Sequence, residues 1–130
     1  MTLNDPLANV LSHINNSEKK GKSECIVCPA SKMILNVLKI LEKNNYIGKF
    51  EIIDKRRGGY IKINLIGQVN KCCVIKPRFS FTLKESEKYE RRYLPARNFG
   101  VIIVTTSKGL MLLSESVEKK LGGKLLAYCY

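Results

Sequence analysis

The chain has 130 residues, enough for one ordinary domain or two small ones sharing an interface. Lys and Arg number 23 against 11 Asp and Glu, a formal net charge of +12, and 45% of the residues are hydrophobic. That apolar share excludes a disordered basic tail, which lacks the surface to offset chain entropy. The charge is spread evenly: residues 1–65 hold 11 basic and 6 acidic groups, residues 66–130 hold 12 and 5. A folded body this basic repels itself without a polyanion nearby, so nucleic acid is the expected partner. No strongly basic amphipathic helix stands out, which makes an anionic membrane the weaker expectation. Met1-Thr2-Leu3-Asn4-Asp5-Pro6 shows neither the basic nor the apolar region of a secretory signal. Runs such as Val101-Ile102-Ile103-Val104 fall far short of a membrane span. Five cysteines with no export signal read as reduced thiols of a cytoplasmic protein.

Asp5-Pro6 suits a helix start, and Leu7, Val10, Leu11 and Ile14 give it one apolar stripe until Asn15-Asn16-Ser17 and Gly21. Cys25-Ile26-Val27-Cys28, ended by Pro29, reads as a short buried strand. Ser31 can cap a second helix whose apolar face is Met33, Ile34, Val37, Leu38, Ile40 and Leu41, closed by Asn44-Asn45. Phe50-Glu51-Ile52-Ile53 and Tyr60 to Leu65 form a hairpin around a basic, Gly-rich tip, Asp54-Lys55-Arg56-Arg57-Gly58-Gly59. This gives α-β-α-β-β. Val69 to Ile75 and Phe79 to Leu83 read as strands separated by Lys76-Pro77-Arg78. Lys84 to Arg92 reads as an exposed helix stopped before Pro95, and Val101 to Thr105 as a buried strand. A short helix near 114–121 stops at Gly122-Gly123, and Leu125 to Tyr130 is a last strand. The fold expected is α/β: two small α+β domains, residues 1–66 and a mainly antiparallel C-terminal domain, 67–130.

Cys25-x-x-Cys28 followed by Cys72-Cys73 invites a zinc reading. Adjacent cysteines cannot easily share one ion, and i and i+3 on a strand face opposite sides. Thiols packed as small apolar residues fit better, so no metal is expected. His13 lies on the polar side of the first helix without a cysteine partner. Gly122-Gly123-Lys124 precedes a strand and lacks the upstream glycine of a phosphate loop. The acids Glu85, Glu87, Glu115 and Glu118 sit among lysines, as solvated pairs do. Neither catalysis, a cofactor nor a small-molecule substrate is expected.

Two segments stand out. Arg56 and Arg57 at a hairpin tip suit phosphate, although a solvated turn would look the same. Thr105-Thr106-Ser107-Lys108-Gly109-Leu110-Met111 leaves a buried strand and turns at a glycine toward a short helix. Consecutive hydroxyls are poor core material, but they can donate to phosphate and 2′-OH oxygens in an irregular RNA groove. Gly109 lets a backbone approach or adopts positive φ. An ordinary Ser/Thr turn ahead of a helix fits the same spacing.

In order along the chain, the set Asp5-Pro6-Leu7-Ala8-Asn9, Pro29-Ala30-Ser31-Lys32, Asn45-Tyr46-Ile47-Gly48-Lys49-Phe50-Glu51, Asn70-Lys71-Cys72, Ile75-Lys76-Pro77-Arg78-Phe79, Tyr93-Leu94-Pro95-Ala96-Arg97-Asn98-Phe99-Gly100, Thr105 to Met111 and Leu121-Gly122-Gly123-Lys124 is specific. It resembles small-subunit ribosomal protein eight essentially end to end. The Ile-Lys-Pro-Arg-Phe and Leu-Pro-Ala-Arg segments favour the archaeal and eukaryotic branch, whose eukaryotic members are called protein fifteen-a. The resemblance implies a non-catalytic primary binder of the central domain of small-subunit rRNA, supporting assembly beside neighbouring small-subunit proteins in the cytoplasmic ribosome. A free regulatory protein acting on mRNA is the alternative. The implied RNA contacts centre on Thr105, Thr106, Ser107, Lys108 and Gly109, with Ser31 and Lys32 as the N-terminal contact. The basic residues Arg56, Arg57, Lys76, Arg78 and Arg97 complete the expected set. Leu112-Leu113 stand where the family usually has a capping Ser or Thr, leaving Ser114 as the next available cap.

Overall fold

The computed structural model describes residues 6–28, 30–54, 59–75, 78, 80–95 and 99–130. The chain divides into two units, Met1–Cys72 and Cys73–Tyr130. In the first, the order is α1 (Pro6–Lys19), β1 (Glu24–Val27), α2 (Lys32–Lys43), β2 (Ile47–Asp54) and β3 (Tyr60–Leu65). The strands form one antiparallel sheet, β1-β3-β2, with Cys25 opposite Ile63 and Phe50 opposite Ile63 on the other side. The inner row of Cys25, Val27, Ile61, Ile63 and Leu65 is buried together with Leu7, Val10, Leu11 and Ile14 of α1 and Ile34, Val37, Leu38 and Leu41 of α2. The outer face is open, and Ile26 on β1 is 49% exposed. The Cys25–Cys28 run is therefore a half-exposed edge strand rather than a buried one: Cys25 is inside and Cys28 exposed, as alternation requires.

Helix α1 outruns its expected end. Asn15 and Asn16 do not break it, because Ser17 falls on the stripe of Val10 and Ile14 and is itself buried. It stops at Gly21, whose φ of +71° lets Gly21 N–H reach the Glu18 carbonyl and Lys22 N–H the Ser17 carbonyl. Asn45, at φ +63°, closes α2 in the same way, with Tyr46 N–H on the Leu41 carbonyl at 3.0 Å. Met33 and Ile40 flank the α2 stripe without being buried. The start of α1 at Asp5 and the strand end at Pro29 lie outside the described residues.

The second sheet holds β4 (Cys72–Val74), β5 (Ser80–Phe81), β6 (Val101–Thr106), β7 (Gly109–Leu112) and β8 (Gly123–Cys129) in the order β4-β8-β6-β7, with β5 also on β8. A 3-10 turn at Leu83–Glu85 leads into α3 (Ser86–Tyr93), and α4 (Leu113–Glu118) follows β7. Ile75, Phe81, Tyr89, Leu94, Ile102, Val104, Met111, Leu113 and Leu125 make the core under α3 and α4. The expected strands 69–75 and 79–83 shrink to three and two residues, since only the parts that pair become strand. The Lys76-Pro77 break and Phe79 lie outside the described residues. Along β6 and β8, Ile103 faces Ala127 but Val104 faces Leu125, so Leu126 is an extra residue, a β-bulge.

Two expected helix ends move. Helix α4 begins at Leu113 with Leu112 in the cap position and no side-chain cap, so Ser114 is inside the helix. The buried Ser116 hydroxyl instead donates to the Leu113 carbonyl at 2.7 Å. The helix ends at Glu118 and is closed by Lys120, at φ +57°, and not by Gly122-Gly123. Those glycines serve close strand packing: a β-carbon on Gly122 would sit 3.1 Å from the Phe81 carbonyl oxygen. Helices and antiparallel sheets in two units make an α+β fold.

Candidate nucleic-acid interface

Strand β6 is anchored by Ile102, Ile103 and Val104, all buried, and so fixes where its polar end emerges. The segment after it does not run straight to a helix. Thr106 pairs with Gly109 and Thr105 with Leu110, so Ser107 and Lys108 are the tip of a tight β6–β7 hairpin. Neither tip residue has positive φ, and Gly109 does, at +109°, as in a turn closed by a glycine bulge. Nothing lies within 4 Å of where a Gly109 β-carbon would be, which leaves its backbone open to a ligand.

The three hydroxyls are not equivalent. Thr106 Oγ1 donates to the Gly109 carbonyl at 3.0 Å and accepts from Lys108 N–H at 3.2 Å. Its proton is thus held inside the hairpin, where it braces the tip. Ser107 is exposed, as are Lys108 and Gly109. Thr105 points to the sheet face opposite Thr106. There the register places it beside Lys124 of β8, which in turn pairs with Ser80 of β5. This row of hydroxyl, ammonium and hydroxyl joins residues distant in sequence. Read locally, Lys124 is the end of a failed phosphate loop and Ser80 a strand residue. No local signal identifies the row, because it exists only through strand register.

In the N-terminal unit, Ser31 caps α2, its Oγ accepting from Ile34 N–H at 3.3 Å. Lys32 is exposed in the first turn, which holds no acid. A cation there opposes the helix dipole but reinforces it toward an anion. Arg78 is exposed. Arg56, Arg57, Lys76 and Arg97 lie outside the described residues.

Other chemistry is sparse. Burial pushes the Cys25 thiol up to about 11, against a hydrogen bond with the Ser17 side chain, so it is protonated at neutral pH and poor as a ligand or nucleophile. Burial also raises the Glu18 carboxyl, opposed by a hydrogen bond from Gly67 N–H. Among the described residues no three His, Cys, Asp or Glu side chains gather as metal ligands. Among them, too, no helix is long and apolar enough to cross a membrane.

A family model described as Ribosomal protein S8 matches residues 5–130. The match spans both units and includes the hairpin, the α2 cap and the row through Lys124. The family is one of structural ribosomal proteins rather than enzymes. With a +12 charge, two α+β units and a rigid hydroxyl-rich hairpin, the chain belongs to the ribosomal protein S8 family, a family of rRNA-binding proteins of the small ribosomal subunit.

Proposed function

We propose that this chain is a primary binder of the central domain of small-subunit rRNA, where it grips an irregular helix and supports assembly of the subunit. In this reading the C-terminal unit is the rRNA-binding domain. The protein works in the cytoplasmic ribosome, beside neighbouring small-subunit proteins. The observation that carries it is the end of the β6–β7 hairpin, where Ser107, Lys108 and Gly109 are exposed on a strand locked into the core. Exposed hydroxyls at a fixed tip suit 2′-OH and phosphate oxygens, and Lys108 and Lys124 supply charge. Ser31 with Lys32, Arg78, and the basic residues Arg56, Arg57, Lys76 and Arg97 are proposed as phosphate contacts that set orientation.

A hydroxyl-radical footprint of the purified chain on small-subunit rRNA tests this. Protection should centre on one irregular helix of the central domain and weaken with Ser107→Ala. Replacing Lys108 and Lys124 with Ala should reduce the salt slope of binding by ~0.7–0.9 for each phosphate that is no longer neutralised. Protection spread evenly over the rRNA, or specific binding confined to an mRNA, would overturn the proposal.

A further inference from the structure

Four aromatic rings run through the C-terminal unit at the end of β6 away from the hairpin. Tyr93 of α3 stacks on Tyr128 of β8, with centroids 5.4 Å apart and planes 30° apart. Tyr128 stacks on Tyr130 at 6.2 Å and 19°. Phe99 ends the run, 6.4 Å from Tyr130 and tilted by 47°. At the other end the Arg92 guanidinium lies 5.6 Å from the Tyr93 centroid. Three of the rings are half-buried against the core, whereas Phe99 leaves 50% of its surface to solvent.

The backbone holds Phe99 there. Gly100 has φ +94°, and a β-carbon on it would lie 2.7 Å from both the Cys129 carbonyl oxygen and Tyr130 Cβ. Only glycine lets the chain pass this close to the end of β8, and that passage sets Phe99 beside Tyr130. Filling the core does not require an exposed ring at the end of a stack. The far end of the run is weakly cationic: α3 carries Lys88, Arg91 and Arg92 against Glu87 and Glu90, with Arg91 4.0 Å from Glu87. An exposed aromatic face at one end of a run of rings, with cations at the other end, suits single-stranded nucleic acid, which is held by stacking plus phosphate contacts.

We propose that Phe99 is a stacking platform for an unpaired nucleobase of the bound RNA, which adds a ring to the Tyr130–Tyr128–Tyr93 run while the strand's phosphates lead toward the cations of α3. This rests on the rRNA-binding reading but uses a different place. The platform lies at the Val101–Cys129 pair and the hairpin at the Thr106–Gly123 pair, five strand steps or ~17 Å apart. The base is therefore not the nucleotide held at the hairpin.

The sequence contains no tryptophan, so Phe99→Trp puts a single fluorescent reporter in the platform. Titration with a short oligoriboadenylate should quench it to saturation, while polyphosphate of equal charge should not. Phe99→Ala should weaken oligoriboadenylate binding about fivefold or more, with the salt slope unchanged. If Phe99→Ala also lowers the thermal midpoint, Phe99→Leu keeps the apolar bulk without the π face and should show the same loss at the parental midpoint. Equal quenching by polyphosphate, or parental affinity in Phe99→Leu, would overturn the platform. So would quenching by small-subunit proteins and none by oligoriboadenylate, which assigns the ring to a protein contact. The hairpin reading fails separately, through the central-domain footprint and its response to Ser107→Ala.

Discussion

Gly123 lies so close to Thr105 that a β-carbon at position 123 would collide with the Thr105 carbonyl oxygen. The two are not a register pair, since Gly123 faces Thr106 and Lys124 faces Thr105. The approach is a diagonal one between backbones, and it holds the polar end of β6 against β8. Gly123→Ala should therefore force the strands apart where the hairpin starts. Overpacking of this kind costs about 1–3 kcal/mol. Urea unfolding should show the lowered midpoint, and rRNA affinity should fall in the variant that remains folded. An unshifted midpoint would mean that the strands accommodate a methyl group.

Thr106 and Ser107 should separate stability from recognition. Thr106→Ala removes the hydroxyl's bonds to the Gly109 carbonyl, the Lys108 N–H and the Met111 sulfur and should lower free-protein stability by about 0.5–1.5 kcal/mol, while Thr106→Ser keeps them and should restore it. Ser107→Ala should move stability by less than about 0.5 kcal/mol, yet reduce specific rRNA affinity roughly tenfold by leaving an RNA group unmatched. Thermal unfolding and filter binding on the three variants give the answer. Equal effects of Thr106→Ala and Ser107→Ala on both measurements would contradict this division.

Lys120 closes α4 in the left-handed region, where a side chain is strained and glycine is not. Lys120→Gly should raise stability by about 0.5–1 kcal/mol, visible as a higher thermal midpoint. The loss of one exposed charge makes Lys120→Ala the control. It should not be stabilising.

The Cys25 thiol gives an alkaline signature. Its folded value, about 11, exceeds the ordinary 9.0 because burial disfavours the thiolate. Between those values the folded state holds the proton more tightly than the unfolded state does. Its contribution is complete below pH ~9 and is lost as pH rises toward ~11, on the order of 2 kcal/mol in total. Cys25→Val should fold with similar stability at neutral pH and lose less stability over that window. Parallel pH profiles for parent and variant would show that the thiol ionises freely in the fold.

The sequence is legible where local physics decides. Ser31 and Asn45 bracket α2 because capping and left-handed closure need only neighbouring residues. The β2–β3 hairpin is equally readable, whereas β7 is not, since the turn after β6 reads locally as the approach to a helix. Short strands are not readable either: β4 and β5 become strands only through pairing with the distant β8. Gly122-Gly123 resembles a helix stop and so misplaces the end of α4, because its use in strand packing is visible only with Phe81 and Thr105 alongside. At the candidate site, composition alone marks the tip residues. Register adds Lys124 and Ser80, and coordinates alone show that the Thr106 proton is already committed.

The bulge at Leu126 separates two chemistries on one strand. Positions 124, 128 and 130 are all even, and an unbroken strand would set Lys124 in line with Tyr128 and Tyr130 on one side. The extra residue reverses the parity, so the tyrosines pack toward α3 while Lys124 stands beside Thr105 on the opposite side. Deleting Leu126 would be far more than the loss of one leucine. Every side chain from one end of β8 would change sides relative to the other, driving an ammonium group into the aromatic core or turning the tyrosines out of it. A frame of one residue in the strand thus governs which side of the sheet carries Lys124 and which carries the tyrosines.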